Sequence, residues 1–179
     1  MNLPNKLTLL RVFMVPPFVF FLLADFGKTG DIIALVLFLT ASFTDFLDGY
    51  IARKYHLVTN FGKFMDPLAD KLLVGSAAIC LTAIGRIPAW AVVILIGREF
   101  VISGFRLIAA ERGLVIAAGW LGKIKTVLQM VMTAVLLIHL DLSWWQALEQ
   151  VLIWGATIMT LWSLADYIIK NREVLAEQQ

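Results

Sequence analysis

Long apolar runs separated by short polar stretches make up most of this chain. A helix needs about 20 residues to cross roughly 30 Å of hydrocarbon, and six stretches approach that length. The pattern predicts an all-α integral membrane protein, folded as a single domain over 1–179. A short interfacial segment at Leu3 and Pro4 is expected to precede the first span. The six predicted spans are residues 7–24, 32–52, 66–85, 88–110, 119–139 and 148–169.

Composition supports the membrane assignment and argues against a nucleic-acid partner. Hydrophobic residues make up 60% of the chain and charged residues 16%, whereas a soluble domain is about 45–50% apolar and about 25% charged. The formal net charge of +2 is too small to indicate a nucleic-acid partner. The lipid bilayer is therefore the expected surroundings of the protein.

Basic residues predict the orientation of the spans, because Lys and Arg accumulate in cytoplasmic loops. If the N-terminus is cytoplasmic, only Lys28 and Arg86 of the 15 Lys and Arg residues fall on the outer side. This asymmetry predicts that both termini are cytoplasmic, in a bacterial-type plasma (inner) membrane.

Charged residues enter the same end of five predicted spans. Each ionisable residue at bilayer depth costs about 2.5–3.5 kcal/mol even on mild insertion scales. We therefore expect these side chains to face one another in a polar cavity on the cytoplasmic side, which would hold the functional site. The residues are Arg11, Asp45, Asp48, Asp66, Asp70, Arg98, Glu99, Arg106, Lys123 and Lys125.

Four aspartates dominate the stretch "DFLDGYIARKYHLVTNFGKFMDPLAD". Asp45 and Asp48 share one helix face, and Asp66 and Asp70 share a face of the next helix. A polar connection at 53–65 would join the two helices as an antiparallel hairpin. Four carboxylates without His or Cys favour Mg²⁺ or Mn²⁺ over zinc, and they suffice for two ions acting at phosphorus.

Simpler interpretations exist for each residue of this stretch taken alone. Asp66 before Pro67 suits a helix N-cap. Asp45 or Asp48 could pair with an intramembrane arginine, and Gly49 and Gly62 could be packing or turn residues. Capping does not require Asp70, however, and ion pairing does not require all four carboxylates.

The same stretch resembles the signature of the CDP-alcohol phosphatidyltransferase family at every fixed position. These positions are Asp45, Asp48, Gly49, Ala52, Arg53, Gly62, Asp66 and Asp70. The resemblance implies that an acceptor hydroxyl attacks the β-phosphorus of CDP-diacylglycerol and that CMP leaves. It further implies that Asp45, Asp48, Asp66 and Asp70 bind two divalent cations and that Asp70 is also the general base. The implied CDP site comprises Asp45, Gly49, Ala52, Arg53 and Gly62.

A second, basic set of residues bears on the acceptor. Arg98, Arg106, Lys123 and Lys125 suggest a phosphorylated acceptor, although the lysines could simply mark a cytoplasmic loop. The segments "NLPNKLTLLR", "GREFVISGFRLIAAERG" and "IAAGWLGKIKT" resemble the branch of the family that uses glycerol 3-phosphate. Thr8 and Arg11 are predicted to reach the same acceptor site. The resemblance also implies a homodimer.

Three other interpretations remain open from the sequence. The acceptor could be that of another family branch, as in a cardiolipin synthase or an inositol-phosphate transferase. A small divalent-cation transporter would also carry acidic residues in its spans, but the predicted outer loops are short and nearly uncharged. A scaffold protein would leave the aspartate spacing unexplained.

Overall fold

The computed structural model describes residues 2–24, 26–55, 59–111, 113–114, 116 and 119–172, without the side chains of Arg53, Asn60 and Lys63. Within these residues the chain is helical and contains no strand, so the all-α prediction is confirmed. Its helices are α1 (Leu3–Leu23), α2 (Gly27–Lys54), α3 (Asn60–Ala83), α4 (Ala89–Glu111), α5 (Trp120–Ile138) and α6 (Ser143–Lys170).

Four of the described helices, α1, α2, α5 and α6, are long and apolar enough to cross a membrane. The sequence predicted six spans. The difference lies in α3 and α4, because charged residues occupy part of each helix. Asp66, Asp70 and Lys71 lie in α3, and Arg98, Glu99 and Arg106 lie in α4. These are the helices whose apolar runs are shortest in the sequence.

The first helix begins before the predicted span. The side chain of Asn2 accepts a hydrogen bond from the backbone N–H of Asn5 at 3.2 Å, which caps the helix. Proline is favourable in the first turn, where its missing N–H costs nothing. Leu3 and Pro4 therefore form the first turn of α1, and their position at the membrane interface stays a prediction.

The third helix also begins earlier than predicted. Its N-cap is Thr59, whose hydroxyl oxygen accepts a hydrogen bond from the backbone N–H of Gly62 at 3.0 Å. The predicted connection at 53–65 is wrong, because helix occupies both of its ends. Residues 56–58 of that connection lie outside the described residues. Asp66 is inside α3, so the capping role considered for it belongs to Thr59.

Residue contacts divide the chain into two compact units. The first consists of Met1–Arg86 with Thr133–His139, and the second of Ile87–Met132 with Leu140–Gln179. In the first unit α1 packs along both α2 and α3, which contact each other much less. The single-domain assignment stays a prediction. The buried apolar residues of the first unit include Val15, Phe18, Leu22, Ala34, Phe38, Leu73 and Leu81.

One ion pair joins three segments of the first unit. The guanidinium of Arg86 lies 2.5 Å from a carboxylate oxygen of Asp31 in α2. It also donates to the carbonyl oxygens of Leu136 and Leu137 at 3.2 and 3.4 Å. Arg86 thus provides donors to the last turn of α5, whose carbonyls have no helical partners.

The second unit has its own apolar core where α4 packs against α6. Ile102, Phe105 and Ala109 of α4 form a buried cluster with Tyr167 of α6. The rings of Phe105 and Tyr167 meet edge to face with centroids 5.7 Å apart. The core lies beside the charged residues of α4, which are described below.

Candidate active site

A row of buried polar side chains runs along α1. Asn5, Thr8 and Arg11 are 6%, 1% and 0% exposed. Their spacing of three residues places them on one face of the helix. The same face continues as apolar core at Val15 and Phe18. One end of α1 therefore presents hydrogen-bonding groups to α2 and α3, and the rest presents apolar side chains.

Arg11 contacts Asp45 and Asp48, the two signature aspartates of α2. Its Nη1 lies 2.6 Å from Oδ1 of Asp45, and its Nη2 lies 2.5 Å from Oδ2 of Asp48. Asp48 is 3% exposed, whereas Asp45 is 40% exposed. The planar guanidinium provides several donors in a fixed fork, so one side chain holds two carboxylates together. Asp45 and Asp48 do share a helix face, as their spacing predicted.

Thr8 connects this pair to α3. Its hydroxyl donates to Oδ1 of Asp66 at 2.6 Å and also lies 3.4 Å from Oδ2 of Asp48. The negative charges of Asp45 and Asp66 both act on the carboxylate of Asp48. Carboxylates from two helices therefore meet at α1, which supplies the hydrogen bond and the positive charge between them.

Asn5 supports the beginning of α3. Its side-chain oxygen accepts a hydrogen bond from the hydroxyl of Thr59 at 3.0 Å. A Cβ on Gly62 would lie only 3.1 Å from that oxygen and 3.6 Å from a carboxylate oxygen of Asp66. Glycine at this position lets α1 approach α3 closely. The predicted CDP-site residue Gly62 is thus a buried contact between helices beside the aspartates.

The remaining signature residues lie on the same two helices. Asp70 is half-buried, one turn after Asp66 in α3, and Gly49 and Ala52 are half-buried in α2. The side chain of Arg53 lies outside the described residues. The structure thus unites Asp45, Asp48 and Asp66 around Thr8 and Arg11, and it places Asp70 on the helix face of Asp66.

The donor set fits a hard divalent cation, since carboxylate oxygens are the ligands that Mg²⁺ and Mn²⁺ prefer. As the side chains stand, no three acidic, His or Cys residues in the described part of the chain are grouped to hold one ion. Oxygens of Asp45, Asp48 and Asp66 instead contact Arg11 and Thr8. The carboxylates of the site are suitable ligands for a divalent cation. The positive charge beside them comes from the guanidinium of Arg11.

Two of the predicted acceptor residues share one carboxylate in the second unit. Nζ of Lys125 lies 2.5 Å from Oε1 of Glu99, and Nη1 of Arg98 lies 3.2 Å from the same oxygen. Lys125 is 1% exposed and Arg98 is 9% exposed. A Cβ on Gly122 would lie 3.3 Å from Nη2 of Arg98, so glycine leaves room for the guanidinium. Two buried cations thus face one carboxylate.

The other two predicted acceptor residues are exposed. The guanidinium of Arg106 lies 5.9 Å from the ring centroid of Tyr167, and Nζ of Lys123 lies 5.9 Å from that of Trp120. Both distances are in the range of cation–π contacts. Arg98 and Lys125 are therefore the buried members of the basic set. That this set shares one cavity with the aspartates stays a prediction.

Two positioning residues were missed in the site prediction. Asn5 was not assigned a role, although it continues the polar row of Thr8 and Arg11 at the same spacing. A polar residue recurring every third position on an otherwise apolar helix was the available signal. Glu99 was expected among the charged residues of the polar cavity but was not assigned to the site. Its contact with Lys125, 26 positions away, has no signal in the local pattern.

Comparison with known proteins agrees with the signature. The sequence profile of CDP-alcohol phosphatidyltransferase matches residues 1–162. A CDP-diacylglycerol–glycerol-3-phosphate 3-phosphatidyltransferase of Bacillus subtilis (strain 168) is 45% identical over 97% of this chain and 97% of its own. A protein of that name from Salmonella paratyphi A is 37% identical over 99% and 98%.

A probable phosphatidylglycerophosphate synthase of Mycobacterium tuberculosis (strain ATCC 25618 / H37Rv) is 41% identical over 94% of this chain and 81% of its own. The match of the profile and the identity to these relatives both extend well beyond the aspartate stretch. The chain belongs to the CDP-alcohol phosphatidyltransferase family.

Proposed function

We propose that this protein transfers the phosphatidyl group of CDP-diacylglycerol to glycerol 3-phosphate, giving phosphatidylglycerophosphate and CMP. Several relatives that align over almost the whole chain carry this activity in their names. The structural observation that carries the proposal is the meeting of Asp45, Asp48 and Asp66 at one face of α1. A scaffold or anchor would not require that convergence.

Asp45, Asp48, Asp66 and Asp70 would hold two divalent cations, Mg²⁺ or Mn²⁺, which when bound would neutralise the charge of the CDP-linked phosphates. Asp70 takes the proton of the acceptor hydroxyl as that oxygen bonds to the β-phosphorus. The bond between the β-phosphorus and the oxygen of CMP breaks, and CMP leaves with the electron pair. Asp70 suits this role because it is half-buried and one turn from Asp66.

The CDP group is assigned to α2 and the beginning of α3. Gly49, Ala52 and Gly62 are small residues beside the aspartates, and small residues allow a flat nucleotide to approach the backbone. Arg53 would pair with a phosphate of the nucleotide. Asp45 is the more exposed aspartate of its pair, which supports its additional assignment to CDP binding.

The phosphate of the acceptor is assigned to Arg98 and Lys125, with Arg106 and Lys123 closer to solvent. Arg98 and Lys125 are both buried and both contact Glu99, and the buried Nε of Arg98 has no hydrogen-bond partner in the described part of the chain. A bound phosphate would accept a hydrogen bond from that nitrogen. Thr8 and Arg11, which the sequence assigned to the acceptor, contact the aspartates, and we assign them to that site instead.

The protein is a membrane protein with bacterial relatives, which supports the inner membrane as its location. We further propose that both termini and the active site are cytoplasmic, where glycerol 3-phosphate and CDP-linked lipid meet, and that the protein forms a homodimer. The distribution of Lys and Arg along the chain supports this orientation.

The test is a panel of acceptors offered to the purified protein with CDP-diacylglycerol and Mg²⁺ or Mn²⁺. We expect CMP release and lipid product with glycerol 3-phosphate, and neither with glycerol, serine, inositol phosphate or phosphatidylglycerol. Turnover with phosphatidylglycerol or inositol phosphate would assign the protein to another branch of the family. Cation transport into vesicles without any CMP release would contradict the enzyme assignment.

A further inference from the structure

Arg11 is the most deeply buried charge at the aspartate site. It is 0% exposed, and its terminal nitrogens contact Asp45 and Asp48 from opposite arms of the guanidinium. Asp48 is itself almost fully buried. A buried carboxylate that loses its partner is strongly destabilising. The two aspartates therefore depend on Arg11 whenever no other cation is present.

The contacts of Arg11 use oxygens that a metal ion would also need. One oxygen of Asp45 and one of Asp48 face the guanidinium, and one oxygen of Asp66 accepts from Thr8. This agrees with the finding that the described side chains form no group ready to hold an ion. A divalent cation that binds here must share or displace these contacts.

We propose that Arg11 is a built-in counter-ion, which holds Asp45 and Asp48 together in the cation-free protein and weakens divalent-cation binding at these carboxylates. The proposal rests on the assignment of the aspartates as metal ligands in the proposed function. Its physical basis is charge: a guanidinium close to a site of limited dielectric screening repels a doubly charged ion. Arg11 thus sets the affinity of the site from a position outside the ligand set.

The proposal predicts that removing the charge of Arg11 tightens cation binding. In Arg11→Met an apolar side chain of similar reach replaces the guanidinium, so that a divalent cation binding at Asp45 and Asp48 no longer meets a repelling charge. We expect the Mn²⁺ dissociation constant to fall at least about tenfold, a conservative figure for the loss of one nearby repelling charge. An auxiliary positioning residue without this charge effect would instead weaken metal binding when mutated.

The measurement is titration of purified protein in lipid nanodiscs with Mn²⁺, with free Mn²⁺ read by electron paramagnetic resonance and without CDP-diacylglycerol. The matched control is Arg86→Met, which removes another arginine paired at 2.5 Å with an aspartate of α2, Asp31. We expect the Mn²⁺ affinity of Arg86→Met to equal that of the unmodified protein.

Each outcome bears on one of the two proposals. Unchanged or weaker Mn²⁺ binding by Arg11→Met, with the control unchanged, overturns the counter-ion role and leaves the proposed function intact. Failure of the unmodified protein and of Arg11→Met alike to bind Mn²⁺ overturns the metal assignment, and the counter-ion role with it. If Arg11→Met folds only with Mn²⁺ present, the proposal is supported.

A second variant decides the case in which Arg11→Met does not fold at all. Arg11→Gln removes the charge but keeps an amide N–H that can donate to one of the two carboxylates. We expect Arg11→Gln, like Arg11→Met, to bind Mn²⁺ more tightly than the unmodified protein. Equal or weaker affinity in Arg11→Gln would overturn the proposal.

Discussion

Replacing Lys125 by methionine tests the acceptor site with little risk to the fold. Lys125 is 1% exposed, and methionine fills a similar volume with an apolar chain. The change removes one of two cations at Glu99, whose Oε1 still has Arg98 at 3.2 Å. The carboxylate therefore keeps a partner, and no buried charge of this cluster is left alone.

The expected magnitude follows from these contacts. A charge-assisted hydrogen bond contributes about 1.5–3 kcal/mol, so losing one to the acceptor phosphate should raise the KM for glycerol 3-phosphate about 10- to 150-fold. Breaking a fully buried pair costs about 3–5 kcal/mol. Glu99 is 31% exposed and keeps Arg98, so we expect a stability loss of only about 1–2 kcal/mol.

The assay is CMP release by the purified protein at saturating CDP-diacylglycerol, with glycerol 3-phosphate varied over several decades. The KM for CDP-diacylglycerol, measured at high glycerol 3-phosphate, should change less than about twofold, because the lost contact belongs to the acceptor. Lys170→Met is the control, since this exposed lysine pairs only with Asp166 in the described contacts. Its kinetics should match those of the unmodified protein.

Two results would refute the reasoning. If Lys125→Met is folded and its KM for glycerol 3-phosphate is unchanged, Lys125 does not contact the acceptor phosphate. If the KM values for glycerol 3-phosphate and for CDP-diacylglycerol rise by the same factor, the cluster of Arg98, Glu99 and Lys125 affects the binding of both substrates and not of the acceptor alone. A thermal unfolding curve of each variant, recorded in the same detergent, separates these results from a loss of folded protein.

Three further predictions concern the aspartate site. Asp70→Asn should abolish turnover while CDP-diacylglycerol binding persists, whereas Asp45→Ala should impair both turnover and binding. Near-normal turnover of Asp70→Asn would show that another group is the base. Gly62→Ala should lower the melting temperature by about 2–6 °C, because the new Cβ would lie 3.1 Å from Oδ1 of Asn5. Gly75→Ala, with no atom within 4 Å, should not lower it, and equal losses would contradict the packing argument. Excess EDTA should stop turnover and added Mg²⁺ or Mn²⁺ should restore it, and full activity in EDTA would exclude a role for divalent cations.

The helices were predictable because each depends on a long run of apolar residues. All six described helices overlap the predicted spans. The early start of α3 was not predictable from that pattern, since it depends on the cap at Thr59. The hydroxyl of Thr59 is held by Asn5, 54 positions away in the chain. Local apolar patterns contain no information on such a contact.

The chemistry of the site was predictable in part. The spacing of Asp45 and Asp48 correctly predicted a shared helix face, because helical geometry alone decides it. Pairing of Asp45 or Asp48 with an intramembrane arginine was one interpretation of the sequence, but the identity of that arginine was not predicted. Arg11 was assigned to the acceptor, since the sequence indicates which residues are charged but not how α1 packs between α2 and α3. Pairing across helices depends on that packing.

The pairing of Arg11 with Asp48 has a consequence for how the chain enters the membrane. The two residues are 37 positions apart, so α1 is synthesised well before its partners in α2. Until then α1 carries an arginine without its carboxylates, and an unpaired arginine within a lone span is costly, by up to about 2.5–3.5 kcal/mol at the centre of the span on the translocon scale. We therefore expect α1 to wait at the translocon and to enter the bilayer together with α2, as a helical hairpin whose charges are already matched.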